Sequence, residues 1–288
     1  MAKSRKQPGT VEALTVPRGP VDLASYDTRA TPRFDGGKKT GKAALFALGD
    51  ELSDLQERLF AEGVAGGRRS VLLVLQGMDT AGKGGIVRHT LGLVDPQGVR
   101  TKSFKQPTRS ESRHHFLWRI ERELPPPGLI GVFDRSHYED VLVTRARGTI
   151  PRRELNVRYR EINAFEKRLV EEGTVLVKCM LHISAEEQRS RLLARLADPT
   201  KLWKFNPHDI DERRRWRDYQ EAYAVAIERT NTEHAPWLVV PSDRKWYRNL
   251  AVGNVLCETL RGMDPSWPGP AFDVEEQRLR LVDEAPLG

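Results

Sequence analysis

Residues 71–85 read VLLVLQGMDTAGKGG. An apolar, β-type run from Val71 to Leu75 feeds a glycine-rich turn, Lys83 follows, and a helix is expected behind it. A buried-type strand, a glycine turn and a lysine at a helix start make the layout of a P-loop. Backbone N–H groups of such a turn face a phosphate, the helix dipole favours its negative charge, and the lysine adds a mobile cation. The usual spacing is G-x-x-x-x-G-K-S/T. Gly77, Gly82 and Lys83 fit it, but Gly84 stands where a Ser or Thr normally offers a hydroxyl to Mg²⁺. Asp79 lies inside the loop. A carboxylate beside phosphates repels them unless a cation bridges the two, so Asp79 reads as a metal-side or phosphoryl-acceptor-side residue.

Around this segment the chain has the composition of a globular protein. Its 288 residues suffice for one large α/β domain or two small ones, and 39% are hydrophobic and 30% charged. No run of eighteen apolar residues occurs, so no membrane-spanning helix is expected. The basic N-terminus MAKSRKQPGT lacks the apolar centre of a signal peptide. Cys179 and Cys257 both lie in apolar patterns and read as buried free thiols of a cytoplasmic protein. The net charge of +7 calls for a polyanionic partner. No zinc-finger spacing, RNP-type motif or interleaving of aromatics with bases accompanies it, so neither nucleic acid nor membrane is expected as that partner.

Residues 1–40 carry Pro8, Pro17, Pro20, Pro32 and a Gly36-Gly37-Lys38-Lys39 run, and read as an extended arm. Leu45, Leu48, Leu52, Leu55 and Leu59 recur at helical spacing, giving an amphipathic helix to about residue 62. Strands are then expected at 71–75, 99–104, 129–133, 175–183 and 237–240. Helices are expected at 85–93, 111–124 (stopped by Pro125-Pro126-Pro127), 152–172, from the Ser184-x-x-Glu187 capping box, at 208–230 and at 244–260. Strands separated by helices of this length imply an α/β fold: a P-loop kinase-like parallel sheet sandwiched by helices. The expected division is an arm at 1–40, a single domain at 41–265 and a C-terminal tail at 266–288.

The apolar strand 129–133 ends in Asp134, the position from which a second strand of P-loop enzymes holds Mg²⁺. An Asp capping the following helix is the competing reading, and the two are compatible. Arg135 follows, where a guanidinium would grip a phosphate bidentately. For Tyr138, Glu139 and Asp140, ordinary helix packing and solvation weigh as much as any role. Residues 189–217 are dense in bases: Arg189, Arg191, Arg195, Lys201, Lys204, Arg213, Arg214, Arg215 and Arg217. Asp198-Pro199 and Asn206-Pro207 break the run into helix, loop and helix, as in the lid of a nucleotide kinase. Most charge runs are solvated faces. Trp203 and Phe205, alternating with Lys201 and Lys204, favour a lid whose aromatics anchor it to the body.

Four motifs together resemble the polyphosphate kinase 2 family. They are Gly77-x-Asp79-x-x-Gly82-Lys83-Gly84-Gly85, the run Asp134-Arg135-Ser136-His137-Tyr138-Glu139-Asp140-Val141-Leu142, the lid segment Trp203-Lys204-Phe205-Asn206-Pro207, and Trp237-Leu238-Val239-Val240-Pro241. The resemblance covers roughly residues 40–262. It implies a P-loop kinase fold with a helical lid and reversible transfer of a phosphoryl group between inorganic polyphosphate and a purine nucleotide. Mg²⁺ is the implied cofactor and a homo-oligomer the implied assembly. It casts Asp79, Lys83, Asp134 and Arg135 as catalytic, with Asp79 and Asp134 serving the metal. Gly77, Met78, Thr80, Ala81, Gly82, Gly84, Gly85, Lys102 and Lys105 are the expected phosphate contacts, and Arg189, Arg195, Lys201 and Lys204 of the lid are expected to bind the donor chain. Tyr138 to Leu142 resembles members that accept both AMP and ADP, whereas Asp134 is typical of ADP-preferring ones, so acceptor length stays open. The rival readings are an ATP-dependent nucleoside or nucleotide kinase on the same fold and a non-catalytic, basic polyanion-binding module. Gly84 and Asp79 count against the first, and the Lys83–Asp134 pairing counts against the second.

Overall fold

β1 (Ser70–Gln76) is buried along its whole length, as a strand of Val and Leu covered on both faces must be. The computed structural model describes residues 9–284. β1 is joined by β2 (Val99–Ser103), β3 (Ile130–Asp134), β4 (Thr174–His182) and β5 (Trp237–Pro241) in a parallel sheet of order β2-β3-β1-β4-β5. The register sets Leu75 beside both Asp134 and Cys179, so β1, β3 and β4 end together at one rim. The connection leaving β1 runs toward β2 and that leaving β4 toward β5. Open α/β sheets bind ligands at the carboxyl rim where connections diverge in this way.

The helices are α1 (Thr10–Leu14), α2 (Lys38–Ala47), α3 (Gly49–Val64), α4 (Lys83–His89), α5 (Trp118–Glu121), α6 (Glu139–Arg147), α7 (Arg152–Glu171), α8 (Ala185–Leu196), α9 (His208–Arg214), α10 (Trp216–Thr230), α11 (Lys245–Met263) and α12 (Val274–Asp283). α1 to α4 pack with α11, and α6, α7 and α10 pack with one another, one group on each side of the sheet. Apolar stripes drive this packing: α7 buries Leu155, Tyr159, Ile162, Phe165 and Leu169 at helical spacing. Residues 9–37 add more to the body than an arm would. Val16 N donates to Trp237 O, Thr10 N and Val11 N donate to the Glu258 carboxylate, and Leu14, Val16 and Leu23 enter the core. The basic residues at 1–8 lie outside the described residues, as do 285–288.

Three local expectations are corrected. The helix read at 111–124 is a single 3₁₀ turn at Glu111–Arg113 followed by the short α5. Thr108 and Glu111 exchange side-chain and backbone hydrogen bonds, and His115 Nδ1 accepts from Leu117 N at 3.4 Å. Such local bonds compete with a continuous helix. The helix read at 208–230 breaks at Arg215 into α9 and α10. Arg213 ties α9 to Ala185 O and Gln188 of α8, while α10 buries Tyr219, Ala222 and Tyr223 in the body; the two attachments define two axes. The amphipathic helix at 45–62 is likewise two helices, α2 and α3, joined at Leu48. At the capping box, Ser184 Oγ accepts from Glu187 N at 3.1 Å, but Glu187 turns to Arg191 (2.8 Å) and the Ser184 N–H finds Asp243 instead.

Candidate active site

The turn after β1 is held from behind by two buried guanidiniums. Arg191 Nη1 donates to Thr80 O (2.9 Å) and Ala81 O (3.2 Å), Arg248 Nη1 donates to Ala81 O (2.9 Å), and Gln188 Nε2 donates to Asp79 O (3.2 Å). With its carbonyls pulled back, the loop is free to present N–H groups forward. The glycine spacing follows from the same contacts. A Cβ on Gly82, at φ 112°, would fall 1.6 Å from Arg248 Nη1, and one on Gly85 2.4 Å from Nη2. Lys83 folds back across the turn, its Nζ donating to Gly77 O at 2.9 Å, and is 8% exposed. Burial and the neighbouring Arg191 pull Arg248 down to about 9. It is still a cation at neutral pH, with Ala81 O and the Asn249 side chain as its hydrogen-bond partners.

From the end of β3, Arg135 Nη2 reaches Asp79 Oδ1 (2.8 Å) and its Nε lies 4.0 Å from Glu139 Oε2. Burial alone would lower the Arg135 guanidinium, but Glu139, Asp79 and Asp134 more than offset it and fix the positive charge. Burial pushes the Glu139 carboxyl above the ordinary range in spite of Arg135 and Lys83. The loop separates two cavities. One, about 290 Å³, is bounded by Gly77, Met78, Asp79, Lys105, Arg135 and Glu139, and closes at its far end on Arg147, Glu212, Tyr219 and Tyr223. The other, about 840 Å³, is lined by Thr80, Gly82 and Gly85 of the loop and by Lys38, Lys42, His89, Arg191, Arg195, Lys201, Lys204, Arg244, Lys245 and Arg248, against only Glu187 and Asp243.

The description of the polyphosphate kinase 2 family matches residues 36–268. The chain belongs to that family. It is 46% identical over 254 residues to the AMP/ADP-polyphosphate phosphotransferase of Meiothermus ruber, covering 88% of this chain and 94% of that protein. It is 41% identical over 260 residues to the ADP-polyphosphate phosphotransferase of Rhodopseudomonas palustris, covering 86% and 88%. The crystal structure of polyphosphate kinase 2 from Arthrobacter aurescens TC1 matches with a TM-score of 0.93 at 50% identity, over 96% of this chain and 98% of that one.

Among the residues that sequence reasoning selected in this polyphosphate kinase 2 chain, Gly77, Met78, Asp79, Lys105 and Arg135 border the smaller cavity. Thr80, Gly82, Gly85, Arg195, Lys201 and Lys204 border the larger one. Ala81 is buried and Gly84 exposed between them. Asp134 is half-buried at the rim and borders neither cavity. Two expectations shift: Lys102 is engaged by Glu123 (2.5 Å) beside Arg100, away from both cavities, and Arg189 is exposed on the outer side of α8. The lid aromatic Trp203 is 78% exposed, with Lys204 over its ring at 4.8 Å, and so does not anchor the segment. Arg195 holds it instead, through Lys204 O (3.2 Å) and Asp209 (3.7 Å). Arg248 and Glu139 went unselected. The signal for Arg248 was an arginine set within the apolar run of α11; for Glu139 it was the acid one helical turn after Arg135.

No group of three or more His, Cys, Asp and Glu side chains shaped to hold a metal occurs among the described residues. Asp79 and Asp134 both act on the Arg135 guanidinium, and two carboxylates are a set that suits Mg²⁺, which characteristically takes one or two and completes its shell with substrate phosphates and water.

Proposed function

We propose that this chain transfers a phosphoryl group between inorganic polyphosphate and a purine nucleotide, ADP to ATP and AMP to ADP, in a Mg²⁺-dependent and reversible reaction. The observation that carries this reading is the pair of unlike cavities flanking one P-loop. The charged residues of the larger are nearly all basic, which suits a chain of phosphates. The smaller combines Asp79, Arg135 and Glu139 at the loop with Leu142, Val143 and two tyrosines further out, which suits a nucleotide with its phosphates toward the loop. The names of the Meiothermus ruber and Rhodopseudomonas palustris relatives support polyphosphate as donor and AMP or ADP as acceptor.

Phosphoryl transfer needs alignment and charge neutralisation rather than a protein nucleophile. The loop N–H groups and Lys83 bind the transferring group, and Arg135 faces it from the acceptor side. Arg191, Arg248 and the lid bases align the donor chain. Mg²⁺, held by Asp79 and Asp134, would neutralise charge on the transferring and leaving oxygens. Arg135, hydrogen-bonded to Asp79 on the wall of the smaller cavity, offers its guanidinium to the acceptor's phosphate. A homo-oligomer in the cytoplasm, with no nucleic-acid or membrane partner, completes the reading; no described helix is long and apolar enough to cross a membrane. The test is to incubate the protein with Mg²⁺, polyphosphate and each of AMP, ADP, GMP and GDP, then to resolve the products by anion exchange, with an ATP-only arm. Nucleotide phosphorylation that requires polyphosphate is expected. Phosphorylation from ATP with none from polyphosphate would replace this reading with an ATP-dependent kinase.

A further inference from the structure

Directly behind the cleft, the core contains a group of charges that no step above uses. Lys178, in the middle of β4, is 0% exposed, as are Glu166 of α7 and His137. The Lys178 ammonium spends its three donors on Glu166 Oε2 (2.7 Å), Thr230 O (2.8 Å) and Tyr138 OH (3.1 Å). Glu166 Oε1 accepts from Tyr138 OH (2.7 Å) and contacts His137 Nε2 (3.2 Å). Apolar residues of similar volume often serve a core as well as a buried ion pair does, so such a pair calls for another reason.

The segment it grips supplies one. Arg135 has a φ of 65°, in the left-handed region that is costly for a side chain of its kind. A backbone held this way persists only where the surroundings over-determine it. Between Arg135 and Glu139, which border the smaller cavity, the chain drives Ser136, His137 and Tyr138 fully inward. The Gln76 amide, oriented to satisfy its neighbours, accepts from Ser136 N and donates to Glu139 Oε1, both at 3.0 Å. His137 and Tyr138 are fastened by Glu166 and Lys178.

We propose that Glu166 and Lys178 are positioning residues, which through Tyr138 and His137 hold residues 135–139 so that Arg135 and Glu139 face the phosphoryl-transfer cleft. This inference rests on the proposed function and adds residues to it from α7 and β4, outside both cavities. Two variants test it, in initial-rate assays with polyphosphate, ADP and Mg²⁺, beside thermal melts and titration with inorganic polyphosphate. Tyr138→Phe deletes one hydroxyl and keeps the ring. Glu166→Leu with Lys178→Met removes both charges together, so neither is left buried alone. In each, kcat is expected to fall about tenfold to a hundredfold, as for a sub-ångström misplacement of catalytic groups. The KM for polyphosphate should stay within about twofold, because the larger cavity is untouched, and Tyr138→Phe should melt with the parent. If the double variant does not fold, Tyr138→Phe decides alone. A Tyr138→Phe enzyme at the parental rate overturns the inference. So does one whose kcat, polyphosphate affinity and melting temperature decline together, since that is loss of fold. A parent with no polyphosphate-dependent turnover overturns the proposed function and this inference with it, whereas an active parent beside an unimpaired variant overturns the inference alone.

Discussion

Lys83 lies folded back on its own loop, between the two cavities and lining neither. Its ammonium is nearly buried, and its hydrogen bond goes to a backbone carbonyl of its own loop, Gly77 O, rather than to a carboxylate. An incoming phosphate therefore meets a cation with no carboxylate hydrogen-bonded to it. Lys83→Ala should leave the fold intact and lower kcat by about 10²–10³, the usual loss for one pre-aligned donor to developing charge. Circular dichroism beside rate measurements checks this, and a folded variant near the parental rate would contradict the loop's role. Glu139 behaves differently, because burial raises its carboxyl above the unfolded value of about 4.3. A raised acid binds its proton more tightly in the folded state. Its contribution to stability is thus present below the unfolded value and is lost as pH rises through the folded one. Glu139→Gln lacks that loss. Its melting temperature should exceed the parent's at pH 8 and converge with it at pH 4. A variant less stable than the parent at pH 8 would show that Glu139 is held as a favourable anion by Arg135.

At the scale of elements, the lid is the part most open to ligand control. Between α8 and α9 the chain is mostly exposed, and Arg195, Lys201 and Lys204 line the larger cavity with no anion among them but their own acids. Asp198 engages Lys201 at the surface, where such pairs are weak, and Asp209 lies 3.7 Å from Arg195. Polyphosphate should displace these acids and order the segment. Limited proteolysis within 196–207 should slow when polyphosphate is added, and neutralising Arg195, Lys201 and Lys204 together should raise the KM for polyphosphate several-fold. Equal cleavage with and without polyphosphate would make the stretch an ordinary solvated face. How far the sequence could be read divides along the same lines. The apolar runs show the strands, and the P-loop spacing picks out Asp79, Lys83 and Gly82, because strand, turn and lysine are neighbours in the chain. Strand order was not legible, since it is set by pairing between distant segments. Nor was Arg248, which reaches the loop from α11, or the break at Arg215, which answers to a contact with α8. Residues 111–124 misled for the opposite reason: bonds among near neighbours, Thr108 with Glu111 and His115 with Leu117, overrode a helical pattern.

At the scale of the whole molecule, the charge of +7 is directed rather than spread. Bases from α2, the P-loop flank, α8, the lid and α11 converge on the larger cavity, while many others are paired with acids over the remaining surface. Self-repulsion among the converging bases makes the free protein less stable than its complex, and an anion that bridges them should relieve it. At a polyphosphate concentration one hundred times its Kd, mass action adds about 2.7 kcal/mol to stability. For a chain of this size that raises the melting temperature by on the order of 5–10 °C. The rise should shrink in 1 M salt, where the screening length falls to about 3 Å. Two variants separate convergence from bulk charge, since each removes one cation. Arg248→Met takes away a buried guanidinium that no carboxylate balances, and should cut the polyphosphate-induced rise sharply. Lys102→Ala removes a lysine already engaged by Glu123 outside both cavities, and should leave the rise as it was. Equal losses in the two would mean that polyphosphate reads net charge alone. The cavity beside the P-loop would then have no special claim on it.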